Sequence, residues 1–209
     1  MSAQIDSLEG ALTHVQEILD SSQERFLLGI VGKPGSGKST FTKSLVNRLK
    51  SPEVALINMD GYHMSNEILL MLDRRERKGA PDTFDVSDFA QLLKTVRSAK
   101  ETVFFPLFDR SIEASIPDGA SIPAQARVII VEGNYLLHDG GGWEEIAPLL
   151  DQSWFLDIDE WMRQSRLISR HIRYGKSPEE AREWALGSDE NNAQIIEGGR
   201  ARADYIVKV

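Results

Sequence analysis

One run near the start of the chain, Gly32-Lys33-Pro34-Gly35-Ser36-Gly37-Lys38-Ser39, fits G-x-x-x-x-G-K-[ST] at every fixed position. This run constrains the fold strongly, because the motif works only between a strand and a helix. Both flanks are present. Phe26-Leu27-Leu28-Gly29-Ile30-Val31 reads as a buried strand. From Ser39 to Lys50, apolar residues recur at Phe41, Leu45, Val46 and Leu49 with helical spacing. Glycines let the loop turn tightly and aim its backbone N–H groups inward, and the helix N-terminus adds positive potential at the same point. In such a loop Lys38 reaches the β- and γ-phosphates and Ser39 holds Mg²⁺. Gly32, Lys33, Pro34, Gly35, Ser36, Gly37 and Thr40 complete the cradle. The expectation is a nucleoside triphosphate site.

The rest of the chain alternates strands with helices. Periodicity predicts a helix over 2–20, then strands at 26–31, 54–59, 103–108, 128–131, 154–158 and 205–209. Helices are expected at 39–50, 87–99, 143–150, 160–173 and 178–187. Residues 111–126 read as a loop or short hairpin turning at Pro117-Asp118-Gly119. Residues 61–85 are charge-rich and lack simple periodicity, so they read as a cap over the site, with some helix at 65–75. The pattern implies one α/β domain over 1–209, with a mostly parallel sheet of five or six strands and helices on both faces.

The bulk composition excludes several functions. The chain has 209 residues, no cysteine and a formal net charge of −8. Thiolate chemistry and disulfides are therefore out, and an acidic balance argues against a nucleic-acid partner. No apolar run approaches a membrane span, and the N-terminus does not read as a signal peptide, so a soluble cytoplasmic protein is expected. Basic residues gather locally, at Arg74–Lys78 and Arg163–Arg173, which suits a phosphorylated small molecule. An apolar stripe left exposed on the N-terminal helix would point to a homodimer.

Ligands of open α/β sheets bind beyond the carboxyl ends of the strands. The strand at 54–59 runs into Asp60, the leading candidate for a base that takes the proton of an acceptor hydroxyl. Asp60-Gly61 is also a common turn pair. Glu132 follows four consecutive β-branched residues and is placed to organise Mg²⁺. A cap or a buried ion pair is the alternative. Asp157 and Asp159 end a further strand, and capping of the next helix accounts for Asp159. Tyr62, His63, Arg77 and Arg110 are candidate acceptor contacts, although a surface histidine and an exposed basic turn explain His63 and Arg77 equally well. Arg163, Arg166, Arg170 and Arg173 share one helical face within a lid at 160–180. They are expected to meet phosphates, Arg170 and Arg173 in the transition state, unless Glu160, Glu179 and Glu183 simply neutralise them. Asn191 and Asn192 offer amides to a base edge, or a turn.

Two further blocks carry a family resemblance. Met59-Asp60-Gly61-Tyr62 followed by Arg77-Lys78-Gly79-Ala80-Pro81-Asp82-Thr83-Phe84-Asp85 resembles the D-G-F and K-K-G-x-P-x-x-Y-D stretches of bacterial pantothenate kinases. Ile130-Val131-Glu132-Gly133-Asn134-Tyr135-Leu136-Leu137 is similar to the I-L-E-G segment of the phosphoribulokinase, uridine kinase and pantothenate kinase superfamily. The resemblance covers about 26–173. It implies the P-loop kinase fold, a three-layer α/β/α arrangement, and ATP-dependent phosphorylation of a small-molecule hydroxyl. It also implies a catalytic role for Asp60. Pantothenate kinases carry P-V-Y-x-H where this chain has Pro106-Leu107-Phe108-Asp109-Arg110. Phe108 and Arg110 are thus implied acceptor contacts of altered chemistry, with Arg110 also near the reacting groups, which argues against pantothenate. The short chain looks most like bacterial nucleoside/nucleotide kinase-like proteins associated with fructose transport, so a sugar acceptor is implied beside a nucleoside or pantothenate-like alcohol. The competing reading is a regulatory ATPase with no acceptor. Asp139-Gly140-Gly141-Gly142 matches D-x-x-G, but no N-K-x-D guanine-reading segment is present.

Overall fold

Alternation within the strands decides the layering. In the computed structural model, which describes residues 2–21 and 23–208, strand β2 (Phe26–Val31) sends Leu27 and Val31 to one face of a sheet and Leu28 and Ile30 to the other. Strand β6 (Val128–Gly133) does the same, with Ile129 and Val131 opposed to Val128 and Ile130. A strand buried on both faces needs a helical layer on each side. One layer is made by α1 (Leu8–Ser21) and α2 (Lys38–Leu49), which deliver Val15, Ile18 and Leu45. The other is built on α4 (Val86–Ser98), which delivers Phe89, Leu93 and Val96 beside Trp143.

Strands β1 (Ala3–Ile5), β3 (Val54–Asn58), β7 (Gln152–Asp157) and β8 (Tyr205–Lys208) join β2 and β6. Among the described residues these six form one sheet, all parallel, in the order β1-β8-β7-β2-β6-β3. The expected three-layer α/β/α fold is the observed one. Among the described residues no helix is long and apolar enough to cross a membrane.

Several local expectations need correction. The helix expected over 2–20 starts only at Leu8, because Ala3–Ile5 pairs with β8 at the sheet edge and buries Ile5 there. The apolar stripe of α1 lies against the sheet, which removes it as a cue for a dimer. The strand at 103–108 is real, but β4 (Val103–Asp109) stands outside the main sheet and pairs antiparallel with β5 (Ala114–Ile122). The hairpin turns between Asp109 and Ala114, and Pro117-Asp118-Gly119 forms a register shift within β5 instead of its turn. Asp118 takes a positive φ of 52° there, and bulges tolerate such backbone. Residues 143–150 form two 3₁₀ turns, not a helix. The cap contains α3 (Asn66–Met71) and two 3₁₀ turns. Helix α5 (Glu160–Arg173) matches its expected bounds, and α6 (Pro178–Leu186) leads into an unforeseen α7 (Ser188–Glu197). The last strand is seen as far as Lys208, and Val209 lies outside the described residues.

One glycine fixes how the hairpin meets the sheet. A Cβ on Gly61 would collide with the Pro106 carbonyl oxygen. The obstacle is backbone, so it cannot rotate aside. Gly61→Ala is expected to destabilise the protein by about 3 kcal/mol, near the upper end for overpacking. A urea titration checks this, and an unchanged midpoint would show that the hairpin is free to retreat.

Candidate active site

The register of three neighbouring strands assembles the site. β6 lies between β2 and β3, and Glu132 is level with Ile30 on one side and Asn58 on the other. Ile30 is two residues before Gly32, where the glycine loop begins, and Asn58 is two residues before Asp60. The sheet therefore sets the glycine loop, Glu132 and Asp60 side by side at one edge.

The loop has the shape its sequence demands. Gly35 and Gly37 adopt φ of 81° and 89°, a region that favours glycine. Gly37 caps α2, leaving first-turn N–H groups for a ligand. A Cβ on Gly35 would lie 2.7 Å from the Arg163 carbonyl, so α5 packs directly on the loop. Lys38 is buried and donates to the carbonyls of Gly32 (2.7 Å) and Lys33 (3.2 Å). Burial pulls its pKa down to about 8, and Glu132 and Asp60 act the other way. A buried cation held by carbonyls, beside the Ser36 hydroxyl, which is buried and without a hydrogen-bond partner among the described residues, is suited to an arriving anion.

Glu132 anchors the second part. Its Oε1 accepts from Ser39 Oγ at 2.6 Å, and its Oε2 accepts from Thr42 Oγ1 at 3.1 Å and Asn58 Nδ2 at 3.3 Å. A hydroxyl and one carboxylate form a hard-oxygen donor set. This fits Mg²⁺, which takes few protein ligands and leaves the remainder to phosphates and water. No group of three or more acidic or histidine ligands occurs among the described residues. Sequence reasoning missed Thr42 and Asn58: the strand register brings Asn58 to Glu132, and Thr42 lies three residues after Ser39 on α2.

Asp60 lies in a 3₁₀ turn after β3. Its backbone N–H donates to Asn58 Oδ1 at 2.8 Å, and Arg110 Nη2 donates to its Oδ2 at 2.6 Å. His63 Nδ1 donates to the Asp60 carbonyl at 2.8 Å, and its ring packs on Phe84 and Phe108 with centroids 4.1 and 4.9 Å away. Burial lowers the His63 pKa, which keeps the ring neutral. Asp60, His63, Phe108 and Arg110 are thus brought together as expected.

The cap is tied to this centre by two aromatics that the sequence reading gave no role. Tyr135 Oη donates to the Gly79 carbonyl at 2.6 Å, and Trp143 Nε1 donates to the Pro81 carbonyl at 3.0 Å. Thr83 Oγ1 closes the same turn by accepting from Gly79 N and donating to the Ala80 carbonyl. The two blocks around Gly79–Asp85 and Glu132–Leu137 are therefore one structural unit.

Other expected contacts lie elsewhere. Tyr62 is a core residue, not an acceptor contact: its ring is buried against Phe89, and burial raises its pKa. Arg77 forms a two-pronged pair with Asp82 within the cap. Arg163 does not present its charge to a phosphate. It is fully buried and pairs with Glu160 and Glu190, and it donates to the Pro34 carbonyl at 3.2 Å. The arginine stripe therefore splits by depth. Arg166 Nη1 is close enough to meet a Cβ on Gly37 at 3.2 Å. Arg170 is half-buried, with its pKa lowered first by desolvation and further by Arg110, against the pull of Asp189 and Asp60. Arg173 is exposed in the last turn of α5. Lys33 pairs with Glu160 and Glu197, while Asp157 pairs with Arg200 at 2.7 Å and Asp159 caps α5. Asn191 is exposed and Asn192 buried within α7.

The model of the phosphoribulokinase / uridine kinase family matches residues 27–209. The chain is 36% identical to a proposed fructose transport system kinase from Silicibacter sp. TM1040, covering 96% of this chain and 98% of that one with a TM-score of 0.87. It is 32% identical over 197 residues to a proposed uridine kinase of Schizosaccharomyces pombe, covering 89% of this chain and 84% of that protein. A pantothenate kinase of Sodalis glossinidius is 27% identical over 165 residues, which span 74% of this chain and 52% of that enzyme. A glycine loop, an oxygen-donor pair and a carboxylate set in register on one parallel sheet, together with these matches, make the chain a member of the phosphoribulokinase / uridine kinase family of phosphotransferases.

Proposed function

We propose that the protein is an ATP-dependent kinase that phosphorylates a hydroxyl of a small molecule, with Asp60 as the base. The observation that carries this reading is the strand register: Asp60 and the glycine loop flank Glu132 with a single strand between them. Loop N–H groups and Lys38 bind the β- and γ-phosphates. Ser39 and Glu132 hold Mg²⁺, whose charge neutralises phosphate oxygens when it is bound. Arg166 and Arg170, on the α5 face over the loop, meet charge that develops during transfer. Asp60 orients the acceptor hydroxyl and takes its proton as the oxygen bonds to the γ-phosphorus. The bond from that phosphorus to the bridging oxygen breaks, and ADP departs with the electron pair. Phe108 and His63 form the acceptor wall. Fructose enters the acceptor panel through the likeness to the Silicibacter protein, with its phosphate ester beside it.

The test is ADP release from Mg-ATP with sugars, nucleosides, hydroxy acids, pantothenate and ribulose 5-phosphate, against an acceptor-free control. Release that depends on an acceptor is expected, with phosphate recovered on it. Steady hydrolysis that no acceptor changes would instead favour a regulatory ATPase.

A further inference from the structure

The groups around Asp60 are strongly biased toward donors. Arg110 is half-exposed, and Asp60 is its ion-pair partner. Lys78 Nζ stands 5.4 Å above the ring of Phe108, whose other neighbour is His63. It is held by neutral oxygens, Asn66 Oδ1 at 2.8 Å and the Glu113 carbonyl at 3.1 Å. Among the described residues neither Lys78 nor Arg170 has an ion pair. Burial lowers the pKa of both, of Lys78 against the pull of Glu113 and Glu67 and of Arg170 against that of Asp189 and Asp60, and an anion would relieve the remaining cost.

We infer, on the basis of the kinase reading above, that the acceptor is an anionic hydroxy compound, a carboxylate or phosphate ester with a free hydroxyl. Its anion is gripped by Arg110 and Lys78. A neutral sugar needs a balance of donors and acceptors, whereas arginine and lysine offer no acceptor at all. The planar guanidinium of Arg110 fits two oxygens of a carboxylate or phosphate. The same exchange readies the base. While Arg110 grips Asp60, its guanidinium occupies the Oδ2 atom that would meet the hydroxyl. An arriving anion competes for Arg110, which leaves Asp60 to the hydroxyl. The proton then passes from that hydroxyl to Asp60 while the oxygen bonds to the γ-phosphorus of ATP and ADP leaves.

The experiment compares matched acceptors in wild-type protein: glycerol with glycerate, pantothenol with pantothenate, fructose with fructose 6-phosphate, and ribulose with ribulose 5-phosphate. At least one anionic member is expected to exceed its neutral partner about tenfold in kcat/KM, the scale of one charge-assisted hydrogen bond. The carboxylate and phosphate pairs tell the two anions apart. Lys78→Met is expected to shrink the anionic-to-neutral ratio about tenfold, mainly through KM. Neutral members used as well as anionic ones, or a ratio unmoved by Lys78→Met, would overturn the anionic acceptor and leave the kinase reading intact. ATP hydrolysis that no member stimulates would overturn both.

Discussion

Asp60→Asn is expected to lower acceptor-dependent kcat by about 10²–10⁴-fold, the usual contribution of a positioned general base. Nucleotide affinity should stay near that of the wild type. The amide keeps the shape of the side chain but cannot take a proton. The backbone bond from residue 60 to Asn58 Oδ1 survives, so the turn should hold. Ser39, Glu132 and Lys38 keep their own partners. Two readouts check this: calorimetric titration with Mg-ATP, and ADP release with the best acceptor. A normal rate in the variant would move the base elsewhere.

The second large effect falls on stability. Arg163→Ala removes a fully buried guanidinium from Glu160, Glu190 and the Pro34 carbonyl. Breaking a buried pair costs about 3–5 kcal/mol. Both glutamates keep some access to water, so the lower end, about 3 kcal/mol, is expected. The loss should carry a functional signature. Pro34 sits in the glycine loop and Gly35 packs against the α5 backbone, so a loosened α5 should raise the KM for ATP more than it lowers kcat. Urea titration and steady-state kinetics measure the two parts. A stable variant with wild-type KM would show that α5 does not brace the loop.

Much of this was readable from the residues, for physical reasons. The loop is written in its glycines, because positive φ at Gly35 and Gly37 restricts the residue choice. The strands at β2 and β6 are short apolar runs, and the bounds of α5 follow from Asp159 at its start and Gly175 after its end. That Asp60 and Glu132 lie together was legible because strand ends of a parallel sheet converge at one end, whereas Arg110 reaches Asp60 from β4, outside that sheet. Other features depend on tertiary contact. Arg163 and Arg166 look alike in sequence, and only packing against the loop separates a buried brace from an exposed cation. Tyr62 is polar enough to read as a ligand contact, yet Phe89 claims its ring. β1 is three residues long and borrows its conformation from β8. The bulge at Pro117-Asp118-Gly119 uses the same residues as a turn, and only pairing with β4 distinguishes them.

In the proposed kinase, one crevice holds a triphosphate on the glycine loop and points an alcohol at it from Asp60. The most direct measurement is a crystal structure with Mg²⁺, a non-hydrolysable ATP analogue and the acceptor that the panel selects. The acceptor hydroxyl is expected within about 3 Å of an Asp60 oxygen and facing the terminal phosphorus, with Arg110 withdrawn from Asp60. An acceptor bound away from Asp60, with the Arg110 pair still closed, would contradict it.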